Sequence, residues 1–266
     1  IISHLMTRAS FRDIAGTVVR DGEYLALAPG ELVPGMPGAF NVVDYGAHPL
    51  KLHSKSAVAD GSRAVVTTAA AAPKHREMWG HALDFTAVFQ GRAAAALDEA
   101  TRAAATLDPA AIRTTSEQLA QHGIFVNDPI AGVRLLRERQ LDAIRTASDR
   151  LVVANKLTYD KDAIQLLAQA QERGVALDII MPSTERNGAG IERMREVGIA
   201  RPHIVPGHTI HGNLLIADDQ LIAGTASMTP RGLARKRAER TAREMGFALS
   251  DPVAIEDALR AIARLG

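Results

Sequence analysis

The sequence predicts an α/β fold of two similar lobes related by a pseudo-two-fold axis, each a mixed β-sheet flanked by helices. Three observations indicate this fold. Strand-like apolar segments alternate with segments of helical periodicity through the second half of the chain. The first half repeats the same order of elements. One short polar pattern stands at the same place in both halves, so we expect a duplicated unit.

The second half carries the clearer signals. Apolar runs predict strands at 150–157, 175–181, 203–205, 214–217, 221–223 and 244–249. Apolar residues at helical spacing predict helices over 160–173, 191–197 and 253–265. Gly174 is typical of a helix end, and Asp251 with Pro252 is typical of a helix start. Strands that alternate with helices argue for an α/β unit with a largely buried sheet.

The first half gives the same order of elements with weaker signals. Strands are predicted at 24–28, 41–43, 57–59, 64–67 and 85–89, and helices over 1–11 and 92–106. The strand at 150–157 has no counterpart here, so we expect the first lobe to lack its first strand.

The middle of the chain is interpreted as a linker. Pro109, the pair His122-Gly123 and the pair Asp128-Pro129 break up this segment. It still has room for a short strand at 124–126 and a helix over 133–145. The predicted division is therefore an N-terminal lobe at 1–107, a linker at 108–145 and a C-terminal lobe at 146–266.

The repeated pattern has the form His-x-Lys-x4-Asp. It consists of His53, Lys55 and Asp60 in the first half and of His211, Asn213 and Asp218 in the second. The interval from His to Asp is seven residues in both copies. Further along each half a carboxylate precedes an apolar strand, at Asp84 and at Glu244. Such matching order and spacing indicates an internal duplication.

Composition and charge exclude several classes of protein. The chain has 31 Lys and Arg against 30 Asp and Glu, which is too balanced for a dedicated nucleic-acid binder. It has no cysteine, hence no thiol nucleophile or Cys-ligated zinc site. Neither a transmembrane run nor a signal peptide is visible, which favours a cytoplasmic protein or one with peripheral membrane contact. An Arg-rich stretch at 231–243 is interpreted as a solvated segment or as a basic rim that attracts an anionic substrate.

The duplicated pattern resembles the motif of the phospholipase D superfamily. The resemblance covers nearly the whole chain, because that family is a duplicated α/β unit with one motif in each lobe. It implies phosphodiester chemistry through a phosphohistidine, with no metal or other cofactor, in a monomer that holds both motifs. Two features depart from the family: Asn213 stands in place of Lys, and the family's Gly-Ser-x-Asn tail reads TTAA at 67–70 and GTAS at 224–227. These departures predict weakened activity.

The chemistry of the residues fits that resemblance. Histidine titrates near neutrality, so it can act as a nucleophile and as an acid. We expect His53 to be the nucleophile, since Lys55 keeps a cation beside it, and His211 to protonate the leaving oxygen. Asp60 and Asp218 are expected to orient the imidazoles, with Asp84 and Glu244 supporting the site from behind. The candidate phosphate contacts are Lys55, Asn213, Thr68, Thr225 and Ser227.

Three functions remain open at this point. The first is a hydrolase or transferase of phospholipids, of the phospholipase D or cardiolipin synthase type. The second is a nuclease of the same superfamily, which the balanced charge and the two motifs in one chain make less favoured. The third is a non-catalytic homologue that binds phosphate or lipid, suggested by Asn213 and by the altered tails.

Overall fold

The computed structural model describes residues 17–20, 23–26, 51–59, 61–68, 83–199, 202–206, 210–234 and 242–265. The strands are β1 (Thr17–Arg20), β2 (Glu23–Ala26), β3 (Lys51–Leu52), β4 (Ser56–Ala59), β5 (Arg63–Thr67), β6 (Thr86–Gln90), β7 (Ile124–Asp128), β8 (Val133–Arg134), β9 (Arg150–Ala154), β10 (Ala176–Pro182), β11 (His203–Val205), β12 (Asn213–Ala217), β13 (Gln220–Gly224) and β14 (Ala242–Leu249). The helices are α1 (Arg92–Thr106), α2 (Pro109–Ala120), α3 (Leu135–Thr146), α4 (Lys161–Glu172), α5 (Gly188–Glu196) and α6 (Pro252–Ala263), with a 3-10 turn at Glu185–Asn187. The predicted helix over 1–11 and strand over 41–43 lie outside the described residues.

A nine-stranded mixed sheet organises the second half of the chain. Its order is β11-β10-β9-β12-β13-β14-β7-β8, and β3 adds to one end of β14. Strands β9, β10 and β11 are parallel, whereas β12, β13, β14 and β7 follow as antiparallel neighbours. The parallel part is built from β-α-β units, which need a helix to return the chain to the same edge.

Each face of this sheet buries a separate apolar cluster. Side chains alternate between the faces along a strand, and β12 shows this directly. Leu214 and Ile216 belong to the cluster beneath α6 and the first lobe, whereas Leu215 and Ala217 belong to the cluster beneath α3, α4 and α5. Both faces of β12 are therefore covered, which explains why the whole strand is apolar after Asn213.

The first lobe adds a smaller sheet of three antiparallel strands in the order β4-β5-β6. The Ala-rich helix α1 packs across it, with Ala94, Leu97 and Ala100 buried against Ala64 and Val66. The same apolar cluster continues into β12, β13 and β14 of the large sheet. One core therefore joins the two halves and fixes the first lobe against the second.

The segment interpreted as a linker is more ordered than predicted. Helix α2 was not expected there, yet Asp108 caps it through the N–H of Ala110, and Pro109 occupies its first turn. Gly123 follows the helix with a positive φ of 76°. The Pro and Gly therefore mark the two ends of a helix. Strand β7 then enters the large sheet between β14 and β8.

The predicted fold class is confirmed: the protein is a mixed α/β structure with a large mixed sheet flanked by helices. Helix α1 and strand β11 have the bounds that the sequence predicted, and the other described elements of the second half differ from prediction by a few residues at most. The pseudo-two-fold relation between the lobes and the domain boundaries stay predictions.

Candidate active site

His53 is held against the start of β14 by its backbone. Strand β3 pairs in parallel with β14, and the N–H groups of His53 and Ser54 both donate to the carbonyl oxygen of Arg243, at 3.0 and 2.9 Å. The imidazole therefore lies beside the next residue of β14, Glu244, whose Oε2 is 2.8 Å from His53 Nδ1. The Glu244 side chain is 5% exposed and the imidazole 31%.

His211 is held in the same way by the chain that precedes β6. Ile210 forms a parallel bridge with Leu83, and the N–H groups of His211 and Gly212 both donate to the Leu83 carbonyl, at 3.2 and 2.9 Å. This places His211 Nδ1 at 2.9 Å from Oδ1 of Asp84. A Cβ on Gly212 would lie 2.5 Å from the Thr68 hydroxyl oxygen, so this close approach requires glycine.

The two units cross between the halves of the chain. His53 and Glu244 are 191 positions apart, and His211 and Asp84 are 127 apart. In both units a histidine from one half is paired with a carboxylate from the other half. The same backbone contacts recur on each side. Each of these two pairs therefore needs a residue from both halves of the chain.

A threonine hydroxyl stands behind each carboxylate. Thr68 Oγ1 donates to Asp84 Oδ1 at 2.7 Å and accepts from the backbone N–H of Phe85 at 2.8 Å. Thr225 Oγ1 donates to Glu244 Oε2 at 2.5 Å and accepts from the backbone N–H of the residue that follows Glu244 at 3.1 Å. Both threonines are buried, and each hydroxyl lies within hydrogen-bond distance of a carboxylate oxygen. The sequence predicted phosphate contacts for these two threonines, and the structure places them as supports of the carboxylates.

In both units the carboxylate contacts the same imidazole nitrogen, Nδ1. A carboxylate that accepts from Nδ1–H fixes the ring orientation and leaves Nε2 as the nitrogen directed elsewhere. It also stabilises the positive charge that an imidazole gains when Nε2 binds a proton or a phosphoryl group. The partners that the sequence assigned to this role were Asp60 and Asp218. The structure gives the role to Asp84 and Glu244, while Asp60 lies outside the described residues.

Asp218 has a different task, at the turn of the β12–β13 hairpin. Its φ is 51°, and its carboxylate accepts from the backbone N–H groups of Ser148, Asp149 and Arg150 at 3.0, 2.9 and 3.0 Å. Burial works against its charge, but these hydrogen bonds outweigh burial and hold the pKa of Asp218 below its ordinary value. The predicted contact with the His211 imidazole is therefore corrected: Asp218 anchors the chain that enters β9.

Asn213 is also placed differently from the prediction. Its side chain is buried, and Nδ2 donates to the carbonyl oxygens of Gly224 and Thr225 at 3.3 and 3.1 Å. Its Oδ1 accepts from the backbone N–H of Lys156 at 3.3 Å. Both amide protons are thus taken by the backbone, so Asn213 links β12 to its neighbours and has no proton for a phosphate oxygen.

Two of the predicted phosphate contacts keep side chains near solvent. Lys55 is half-buried two residues after His53, and its Nζ donates to the His53 carbonyl oxygen at 3.3 Å. Ser227 is half-buried shortly after the end of β13. Their roles as phosphate ligands stay predictions.

Lys156 is a cation that the sequence interpretation missed. It follows the end of β9, and its backbone is held on two sides, by Asn213 through its N–H and by Asn187 through its carbonyl oxygen at 3.1 Å. Burial lowers the pKa of its ammonium group, which the Asp84 carboxylate opposes and the Arg186 guanidinium reinforces. A lysine two residues after an apolar strand is the sequence signal that could have identified it.

A buried ion pair supports the frame around His53. Arg243 Nη1 lies 2.6 Å from Asp128 Oδ2, with the two side chains 8% and 2% exposed. The sequence placed Arg243 in a solvated stretch or a basic rim, and the structure corrects this for Arg243. Because the Arg243 carbonyl binds the His53 backbone, the ion pair helps to fix the strand that carries the histidine.

Metal-binding clusters and membrane-spanning helices are both absent from the described residues. No cluster of three or more His, Asp or Glu side chains there is arranged to hold a metal ion. None of the helices in the described ranges has the length and apolar character needed to cross a membrane.

Comparisons with known proteins agree with the fold. No protein-family model matches the sequence, and no curated protein is significantly similar to it. The phosphatidylserine synthase of Haemophilus influenzae Rd KW20 superposes with a TM-score of 0.55 at 15% identity, over 81% of this chain and 62% of its own. Nuc from Salmonella typhimurium, a phospholipase D family member, covers 53% of this chain and 92% of its own at 18% identity, with a TM-score of 0.42. The likeness to the synthase shows a common fold.

Proposed function

We propose that this protein is a phosphodiester hydrolase or transferase that works through a phosphohistidine intermediate, with a phospholipid as its substrate. The observation that carries the proposal is the pair of imidazoles, each held by Nδ1 on a carboxylate of the opposite half. Two oriented Nε2 atoms supply what the reaction needs: a nucleophile for phosphorus and an acid for the leaving oxygen.

In the first step, Nε2 of His53 attacks phosphorus and the bond from phosphorus to the leaving oxygen breaks. The protonated His211 gives its Nε2 proton to that oxygen. Glu244 stabilises the positive charge that forms on the His53 ring, because its carboxylate lies on Nδ1. We assign attack to His53 because its imidazole is the more exposed of the two, 31% against 9% for His211.

In the second step, His211 takes a proton from a water or an alcohol, whose oxygen attacks the phosphohistidine. The bond from phosphorus to His53 Nε2 breaks, and the enzyme returns to its starting state. Water gives hydrolysis and an alcohol gives transfer of the phosphatidyl group. Asp84 holds the His211 ring in the same orientation through both steps, since it binds the nitrogen that does not exchange protons with the substrate.

Two features favour a lipid over a nucleic acid. The chain carries almost equal numbers of acidic and basic residues, whereas nucleic-acid binding draws on a large excess of positive charge. The fold is also similar to that of a phosphatidylserine synthase. A nuclease uses the same chemistry on phosphorus, and a substrate screen distinguishes the two.

The test is a hydrolysis screen with phosphatidylcholine vesicles, cardiolipin precursors, bis-p-nitrophenyl phosphate and DNA, each beside the His53→Ala variant. We expect release of head group from at least one phospholipid, and none from the variant. Rapid acid-free quenching and mass spectrometry should find a labile phosphoryl adduct on the peptide that contains His53. An adduct on the His211 peptide would reverse the assignment of the two histidines.

Other outcomes would change the proposal. Cleavage of DNA with no turnover of lipid would identify a nuclease. If none of the four substrates is turned over by the folded protein, the proposed enzyme activity is wrong and a binding function replaces it.

A further inference from the structure

The two halves of the site differ in their cations. Beside His53 the pattern keeps Lys55, whereas the equivalent position beside His211 holds Asn213, an amide bound to the backbone. A phosphoryl group between two histidines carries charge on both of its free oxygens during transfer. Positive charge on both sides stabilises that state, so the second half needs a cation from elsewhere in the chain.

The backbone of Lys156 lies next to the second motif. Its backbone N–H donates to Oδ1 of Asn213, the residue that stands at the motif's lysine position. Strand β9 pairs with β12 in a register that sets Ala154 opposite Leu214, so the chain leaving β9 passes the start of β12. The ammonium group is near enough to the Asp84 carboxylate to be influenced by its charge, and Asp84 is the partner of His211.

The Lys156 ammonium is also half-buried and lacks a counterion among the described residues. No carboxylate of the described ranges lies within ion-pair distance of it, and no side-chain hydrogen bond holds it. A charge that is partly removed from water and left unpaired is unfavourable unless an anionic ligand completes it. This is a property expected of a ligand-binding lysine more than of a surface lysine.

Arg186 adds a second positive charge on the same side. It lies in the 3-10 turn that follows β10, and the neighbouring Asn187 binds the Lys156 carbonyl oxygen at 3.1 Å and the Pro182 carbonyl oxygen at 2.9 Å. Lys156 and Arg186 thus come from the carboxyl ends of two adjacent parallel strands, β9 and β10. That edge of a parallel sheet is where α/β proteins place ligand-binding groups.

We infer that Lys156 supplies the phosphate-binding cation of the second half of the site, in place of the lysine that Asn213 has replaced in the motif. The ligand is a phosphoryl oxygen of the substrate, on the side of His211. The inference rests on the proposed phosphodiester chemistry. It assigns the role to a residue outside both motifs, on a different strand from either histidine.

Three variants make the test. Lys156→Met removes the charge and keeps most of the side-chain length, Lys156→Arg keeps the charge, and Lys161→Met removes a charge from an exposed lysine at the start of α4. Each is measured for binding of inorganic phosphate by calorimetry and for kcat/KM with bis-p-nitrophenyl phosphate. We expect Lys156→Met to weaken phosphate binding and to lower kcat/KM by roughly tenfold or more, with the other two variants close to the wild type.

Thermal unfolding separates this role from a structural one. Removing an unpaired, half-buried charge should leave the melting temperature of Lys156→Met equal to that of the wild type or higher. A lysine that merely stabilised the fold would give a lower melting temperature instead. The charge-retaining variant adds a second readout. Because arginine stays protonated at high pH, phosphate binding by Lys156→Arg should persist to a higher pH than binding by the wild type, whose lysine has a lowered pKa.

The outcomes distinguish this inference from the proposed function. If the wild type turns over phosphodiesters and Lys156→Met behaves like Lys161→Met, the inference is overturned and the enzyme activity stands. If the wild type hydrolyses nothing but binds phosphate through Lys156, the catalytic proposal fails and the anion site stands. If the wild type shows neither turnover nor phosphate binding, both are wrong.

Discussion

The two histidine units of the site share their hydrogen bonds and differ in their surroundings. In the first unit the imidazole is 31% exposed and its carboxylate only 5%; in the second the imidazole is 9% exposed and its carboxylate 24%. The carboxylate is therefore the more buried partner in the first unit, and the imidazole is the more buried partner in the second. The frame of backbone and threonine contacts around them is the same in both.

The comparison shows that the hydrogen bonds of the two units and their cations follow different requirements. The hydrogen bonds that orient an imidazole depend on position within the strand, so both copies keep them. A cation acts over a longer distance and can reach a phosphate from several directions. The lysine of the second copy could therefore be replaced, provided that another strand supplies the charge.

The largest effect should come from removing either histidine, and the leaving group should tell the two apart. We expect both His53→Ala and His211→Ala to lower kcat for a phospholipid on the order of a thousandfold. With bis-p-nitrophenyl phosphate, whose leaving group needs no proton, His211→Ala should still form the phosphoryl adduct in a single-turnover assay, whereas His53→Ala should form none. Adduct formation in His53→Ala, and not in His211→Ala, would contradict the assignment of roles.

The carboxylates should show a smaller and unequal effect. Glu244→Gln and Asp84→Asn keep the size of each side chain but remove the charge that stabilises an imidazolium. We expect a 10- to 100-fold loss in kcat for each, as is typical when the partner of a functional histidine is changed. The loss should be greater for Glu244→Gln, because Glu244 is the more buried carboxylate and acts on the nucleophile. Steady-state kinetics on both variants measures the order, and equal losses would show that burial does not matter here.

The smallest effect on turnover should come from Asp218, which the structure separates from the histidines. Asp218→Asn should leave kcat unchanged and lower the free energy of unfolding at pH 7 by about 1 kcal/mol, since the carboxylate is partly exposed. Urea unfolding provides the measurement. A large loss of kcat in the folded variant would restore the view that Asp218 orients His211.

The effect of Asp218→Asn on the free energy of unfolding should depend on pH, because the pKa of Asp218 is lowered in the folded state. A carboxyl group with a depressed pKa in the folded state contributes its full stability above the unfolded value of about 3.9 and loses it as the pH falls through the folded value. The difference between the wild type and Asp218→Asn should therefore shrink when unfolding is repeated below pH 4. A difference that stays constant at acid pH would mean that the charge is not what Asp218 contributes.

Sequence patterns predicted much of this fold because they report local structure. Periodicity located the strands of the large sheet. β12 and β13 are joined by a short loop, so their pairing is also a local feature. The patterns failed where the outcome depends on distant partners. The strand predicted at 124–126 is present as β7, but its place in the large sheet was not predicted, because one of its two neighbours, β14, lies far along the chain.

The candidate site was likewise predicted only in part. The repeat pointed to His53, His211, Asp84 and Glu244, because it compares equivalent positions in the two halves. The partner of each histidine was not found, because each pair joins residues from opposite halves. Lys156 was missed for a related reason: Asn213, the residue that it complements, belongs to another strand.

The place of β14 in the sheet has a consequence for synthesis of the chain. This strand lies between β13 and β7 and carries Glu244, yet it spans residues 242–249 and is made after every other strand of the sheet. A nascent chain that has not reached it leaves the edges of β13 and β7 open, and it lacks the Glu244 carboxylate that contacts His53. Ribosome-bound chains stalled before residue 242 should therefore stay open to proteases and chaperones, and chemical competence should arise only once this strand has been translated.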